Sequence, residues 1–278
     1  MARRGVLGIV LALVALTLVY SAFRRWTLHT LPIDDGPPLP RNIQIHVGET
    51  ATKISLAESW MVRRDGLWRI HISGAPRLLG HSHGMLVNRI FAPVERRLDQ
   101  RFRTAIPPGV ARWIFENRLR WTLRGLMPSI HPHRLAEVAA FARTIIDTQH
   151  FAEEPFQRIL TYHAIPDVLQ ARRRDALFPS VAFAVWGKQA AGGHMLVARS
   201  MELGLGEAFD RERAIVFVRG RGRIPFVSLA WPGALGVISG VNARRIFVGV
   251  IWAKTETKLR PKTPAVFIAR DILERAAT

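Results

Sequence analysis

Ser180 follows Pro179 where a helix-patterned segment, closed by Arg172-Arg173-Arg174-Asp175, gives way to the strand-like run Val181–Trp186 (VAFAVW). A serine at the head of a strand can act as a nucleophile without a separate histidine. Once the preceding peptide bond is cut, its own α-amine, with an ordinary pKa of about 7.7–8.0, serves as general base. Such a nucleophile needs no Gly-x-Ser-x-Gly elbow, and none is evident. An ordinary strand-opening residue is the competing reading of Ser180. Two histidine pairs, His81-Ser82-His83 and His131-Pro132-His133, offer two imidazoles each. With no third histidine or carboxylate nearby in sequence, both are expected to be hydrogen-bonded or solvated pairs rather than metal ligands. The chain has no cysteine, which excludes a thiol nucleophile, a disulfide framework and cysteine-ligated metal.

The elements that must position these groups read as follows. The chain has 278 residues, 49% hydrophobic and 22% charged, enough for one large domain or two small ones. Of 40 basic residues only five are lysine, and the net charge is +19. That surplus would suit nucleic acid or anionic lipid, but the arginines run from Arg3 to Arg275. The densest groups, Arg172-Arg173-Arg174 and Arg219-Gly220-Arg221-Gly222-Arg223, have no interleaved aromatics, so nucleic acid is not the expected partner. Val6 to Phe23 is an uncharged stretch of 18 residues flanked by Arg3-Arg4 and Arg24-Arg25. As a helix it would cover roughly 27 Å, the thickness of a hydrocarbon core. Residues 1–26 are therefore expected to be a single-pass anchor in the lipid bilayer, through residues 6–23, with the body outside the cytoplasm; a cleaved signal peptide is the alternative.

Residues 27–42, with TLPIDDGPPLPR at their centre, read as a proline-rich spacer. Residues 43–179 read as mostly helical, after strand-like runs at Ile43–Val47 and Leu67–Ile72, with a helix from Gly80 to about Arg103 and further helices from Pro108 to about Ala171. Residues 180–278 read as β-rich. Runs at 181–186, 194–198, 214–218, 226–230, 235–239 and 246–253 predict a largely antiparallel sheet. A closing helix over Pro264–Ala277 carries Ala265, Ile268, Ala269, Ile272 and Leu273 on its apolar stripe. Helices covering one sheet make the expected class α+β.

The β-rich region contains Ser180-Val-Ala-Phe-Ala-Val-Trp186-Gly187, Ala198-Arg199-Ser200-Met201-Glu202, Phe226-Val-Ser-Leu-Ala-Trp231-Pro-Gly233, Ser239-Gly240-Val241-Asn242 and Ala253-Lys254-Thr255-Glu256. Upstream lies Gly74-Ala-Pro-Arg-Leu-Leu-Gly80-x-x-x-Gly84. In order and spacing these resemble the autoproteolytic acyltransferases of the acyl-coenzyme A:6-aminopenicillanic acid acyltransferase group, within the N-terminal-nucleophile hydrolases. The resemblance implies an αββα sandwich preceded by a helical pro-segment, acting on a small amide or acyl substrate with no metal or cofactor. It implies Ser180 as nucleophile, Arg199 and Glu202 as positioning residues, and Asn242 as a substrate or oxyanion contact. A structural ion pair is the competing reading of Arg199 and Glu202.

The departures from that pattern are specific. Ser180 replaces a cysteine, Pro179 precedes it, Glu202 replaces an aspartate, and Arg244-Arg245 stand where a glycine is common. Ile251-Trp252 lacks the asparagine that often completes the oxyanion hole. Relative to the family the region ends early, so an incomplete sandwich is expected, its exposed sheet needing a partner chain. A second expectation is thus a catalytically inactive, membrane-tethered binding or scaffold protein.

Overall fold

The computed structural model describes residues 2–28, 30–32, 34, 36–49, 51–106, 108–146, 153–170, 180–201, 207–252 and 262–278. It is an α+β structure with seven α-helices and two sheets among these residues. The first helix, α1 (Ala2–Thr27), carries a 22-residue stretch, Val6–Thr27, long and apolar enough to cross a membrane, of which only the terminal Thr27 is buried in the protein. Four short strands follow: β1 (Gln44–Val47), β2 (Thr52–Leu56), β3 (Ser59–Arg64) and β4 (Leu67–Gly74). Next come the helices α2 (Pro76–Ala105), α3 (Val110–Leu123), α4 (Pro132–Ala142) and α5 (Pro155–Gln170). The remaining elements are β5 (Ser180–Val185), β6 (Leu196–Met201), α6 (Glu207–Arg211), β7 (Ala214–Gly220), β8 (Phe226–Ala230), β9 (Ser239–Asn242), β10 (Phe247–Gly249) and α7 (Ala265–Arg275).

Eight strands form one mixed sheet in the order β1-β2-β3-β4-β7-β8-β9-β10, and β5 with β6 forms a separate antiparallel pair. The large sheet is antiparallel except at its centre, where β4 and β7 run parallel with Trp68 to Gly74 opposite Ala214 to Gly220. Residues on either side of position 180 thus share one sheet, and the expected division there is not a boundary in the packing. Period-2 alternation sends Ile70 and Ile72 of β4, Val216 and Val218 of β7, and Phe226 and Ser228 of β8 to one buried face. They meet Leu79, Leu86 and Val87 of α2, Val138 and Phe141 of α4, Ile159 and Leu160 of α5, and Phe267 and Leu273 of α7 in one core.

The opposite face is open. A row of paired residues crosses it through Trp60, His71, Phe217, Val227, Val241 and Phe247. Trp60 and His71 stack there at 5.7 Å, while Phe217 and the neighbouring Leu229 are exposed.

Two glycines let α2 reach the core. A Cβ on Gly80 would lie 1.9 Å from the carbonyl oxygen of Glu137, and one on Gly84 1.9 Å from Thr144 Oγ1. The Gly80-x-x-x-Gly84 spacing puts both on one face, so α2 and α4 pack almost backbone to backbone. Between α4 and α7 lies a buried ring of alternating charge. Arg134 pairs with Glu137 at 2.5 Å and Glu274 at 2.8 Å, and Arg270 pairs with Glu274 at 2.9 Å and Glu137 at 2.8 Å. Burial pushes the Glu274 carboxyl up, but Arg270 and Arg134 outweigh it and hold its pKa at about 2.

Three sequence expectations are corrected. The buried face of α7 is Val266, Phe267, Ala269, Arg270, Leu273 and Glu274, while Ile268 and Ile272 are exposed, because the ion-paired ring takes two charged residues inside. Residues 235–238 are not a strand; the strand beside β8 is made by Ser239–Asn242 instead. The proline-rich segment is not a free spacer. Arg77 binds the Asp34 carboxylate and the Pro37 carbonyl, the His81 ring nitrogen Nε2 lies 2.7 Å from the Pro40 carbonyl, and Arg143 binds the Pro32 carbonyl, tying the segment to α2 and the end of α4.

Candidate functional site

Ser180 opens β5 opposite Met201 of β6, and Arg199 sits opposite Ala182. Ser180 and Arg199 are therefore diagonal neighbours on one face of the hairpin. The Arg199 Nη2 donates to Ser180 Oγ at 3.3 Å and contacts Met201 Sδ at 3.5 Å. Its Nη1 donates to Ser239 Oγ and to the Ile238 carbonyl, both at 2.6 Å, and its Nη2 also donates to the Val250 carbonyl. Because Ser239 pairs with Leu229, its hydroxyl lies on the open face of the large sheet. One guanidinium thus fastens the β5–β6 hairpin onto that face beside the β9–β10 edge.

Chemically, this places a cation against the Ser180 hydroxyl. Burial lowers the pKa of Arg199, but guanidinium cannot serve as a base, so its contribution is to favour negative charge developing near Ser180 Oγ. Its Nε is buried without a partner among the described residues. No imidazole or carboxylate hydrogen-bonds Ser180 Oγ among the described residues, so proton removal has to come from elsewhere. Pro179, Glu202, Lys254 and Glu256 lie outside the described residues.

Asn242 is not part of this cluster's chemistry. Its Nδ2 donates to the carbonyls of Leu273 and Ala276 at 3.0 and 2.8 Å. Its Oδ1 accepts from the backbone N–H groups of Arg244 and Ile246, both at 3.0 Å. Two donors and two acceptor positions are thereby all used, and Asn242 locks the β9–β10 turn to the end of α7. Ser239, which the sequence reading quoted only within the Ser-Gly-x-Asn turn, is the residue of that turn that meets Arg199.

The strand after Ser180 is apolar in sequence yet largely exposed. Val181, Phe183 and Trp186 are 70%, 61% and 65% exposed. Among the described residues this second sheet has two strands, and most of its side chains are exposed.

The two histidine pairs do different work. His83 is fully buried against Phe141, and its Nε2 accepts from the Gly233 N–H at 3.2 Å. His163 donates from Nδ1 to the Ile159 carbonyl at 2.7 Å and accepts at Nε2 from the Leu235 N–H at 2.9 Å. Burial pushes both down, His83 to about 3 and His163 to about 4, so both are neutral near pH 7. Together they hold the Trp231–Leu235 loop by its backbone.

At His131-Pro132-His133 the fold supplies what the sequence lacked nearby. His133 Nε2, Asp271 and Glu274 place ligand-type atoms within 4.8 Å of one another. The guanidinium of Arg134 already bonds the same two carboxylate oxygens, at 3.0 and 2.8 Å. That cation position is filled by a side chain. No protein-family model and no curated protein matches this sequence.

Proposed function

We propose that this chain is a membrane-anchored amide-bond hydrolase or acyltransferase of the N-terminal-nucleophile type, with Ser180 as nucleophile. The observation that supports it is the convergence of Arg199 on Ser180 Oγ at 3.3 Å while three further groups at the ends of β9 and β10 (the Ser239 hydroxyl and the Ile238 and Val250 carbonyls) hold the guanidinium in place. The β5–β6 hairpin on the open face of the large sheet supports the same reading, as the start of the second sheet of an αββα sandwich.

The chemistry would begin with Ser180 Oγ attacking the Pro179 carbonyl carbon. The C–N bond breaks, the nitrogen takes the proton, and the chain is left joined by an ester. Water hydrolyses the ester, leaving a Pro179 carboxylate and a free Ser180 amine. In turnover that amine takes the hydroxyl proton as Oγ attacks a substrate amide carbonyl, and Arg199 stabilises the charge developing beside it. Collapse expels the leaving amine, which receives the proton back from the ammonium, and the acyl group passes from Ser180 to water or to an acceptor amine.

The test is an intact mass spectrum under denaturing conditions, parent beside Ser180→Ala. Two fragments split between Pro179 and Ser180 in the parent, and one uncut mass in the variant, are the expected result. A single mass in both removes the amine base and with it this mechanism.

A second reading is a tethered binding or scaffold protein without catalysis. Asn242 favours it, since all four of its hydrogen-bonding positions are used within the fold and none is left for a substrate.

A further inference from the structure

The face that α3 turns outward is apolar. Val110, Trp113, Ile114 and Trp121 are 73%, 53%, 52% and 43% exposed. At 100° per residue they fall within one side of the helix. An apolar stripe of this kind, built around two tryptophans, is unusual on a surface facing only water.

Its position is set by α1. Tyr20 packs on Trp113 with ring centroids 5.9 Å apart, and its hydroxyl lies 3.4 Å from Asn117 Oδ1. Phe23 stacks on Trp121 at 6.2 Å and 9°, and Trp26 meets Trp121 edge-on at 4.9 Å. The contacts advance in the same sense along both helices. The N-terminal end of α3 therefore lies level with Tyr20, inside the apolar stretch Val6–Thr27, while Trp121 lies level with its last turn. Arg24, Arg25, Arg118 and Arg124 are exposed around this contact, and Arg124 lies over the Trp121 ring at 3.9 Å and the Trp26 ring at 5.6 Å. Tryptophan at headgroup level with arginine reaching outward is the pattern of a bilayer interface. The docked proline-rich segment keeps the body close enough for that contact.

We propose that α3 is an interfacial helix that dips into the bilayer beside the last turns of α1: with α1 spanning the bilayer, its Val110–Trp113–Ile114–Trp121 stripe sits in the boundary between headgroups and acyl chains, and the surrounding arginines engage anionic phospholipid headgroups. The protein then has two membrane contacts, one spanning and one entering only the interfacial layer, and its orientation on the bilayer is fixed rather than swivelling about a single stalk. The inference is independent of any catalysis at Ser180.

The absence of cysteine makes the test clean, because any introduced cysteine is unique. The full chain carrying a spin label at Leu13→Cys, Trp113→Cys, Ile114→Cys, Glu116→Cys or Arg221→Cys is reconstituted into vesicles of phosphatidylcholine with phosphatidylglycerol. Collision with oxygen and with a water-soluble nickel chelate is then measured. Labels at 113 and 114 are expected to be several-fold less accessible to nickel than those at 116 and 221, at a depth shallower than 13. Water-like values at 113 and 114 with residue 13 in lipid overturn the proposal for α3 alone. Water-like values at 13 as well overturn it together with the spanning role of α1. Dipolar broadening between labels at 113, without oxygen contact, assigns the face to a second copy instead and also overturns it. Immersion is expected to lessen in phosphatidylcholine alone, and an unchanged depth there overturns the role of anionic headgroups.

Discussion

His83 and His163 are neutral acceptors for backbone N–H groups in a buried loop, and that role has a pH dependence whose sign follows directly. Their folded pKa values, about 3 and about 4, lie below the ordinary value of 6.5, so the unfolded chain binds protons first as pH falls. Their contribution is complete above pH ~6.5 and declines below it by about 1.4 kcal/mol per pH unit for each histidine, until the folded pKa is reached. Thermal melts of the detergent-solubilised chain should show a falling Tm from pH 6.5 to 4.5, with a shallower slope in His163→Gln. Arg199 can be tested at the same scale. Its hydrogen bonds from a charged donor are each worth about 1.5–3 kcal/mol, so Arg199→Ala should release the β5–β6 hairpin from the sheet. Hydrogen exchange in residues 180–201 should quicken by tenfold or more, while β7 and β8 keep their protection. The strand that Ser180 opens was legible from its texture, whereas Arg199 was singled out only by the order of motifs, and no local signal fixed the hairpin register that brings the two together. The saturated role of Asn242 was not legible, since two of its four partners belong to a helix some 30 residues away.

The elements show where pattern reading works and where a buried charge defeats it. The helix at 76–105 and the strands β7 and β8 appeared near their expected places because their buried positions are apolar and periodic. The stripe of α7 was misread by one face, because Arg270 and Glu274 are buried and pay for it only through Arg134 and Glu137 on α4, far away in sequence. The ring predicts its own asymmetry. Glu137→Gln takes a carboxylate from both buried arginines, leaving Arg270 with Glu274 alone while Arg134 keeps Glu274 and Asp271, and should destabilise by about 3 kcal/mol. Replacing all four members with apolar residues of similar volume should cost much less, which chemical denaturation of both variants would check. The contact between α2 and α4 is equally specific. A methyl group on Gly80 would overlap the Glu137 carbonyl oxygen, so Gly80→Ala should lower Tm, whereas Gly125→Ala, with open space around it, should not.

At the scale of the molecule, the α+β class and the N-terminal apolar helix were readable from texture, since both depend on local runs. The joining of β4 to β7 was not, because that parallel ladder pairs residues about 146 positions apart (Trp68 with Ala214) and leaves no local signal. The open sheet face was half readable: alternation marks it, but Phe217, Leu229 and Val241 on it look like core residues in sequence. The central ladder also decides what a break in the chain would mean. If the bond before Ser180 is cut, the segment ending at 179 still contributes β1 to β4 and the segment from 180 still contributes β7 to β10 to one continuous sheet. The two pieces would stay a single particle, coeluting on gel filtration and melting in one transition, and would part only in denaturant. Maturation of this protein would be a change of covalent bookkeeping that the folded body does not feel.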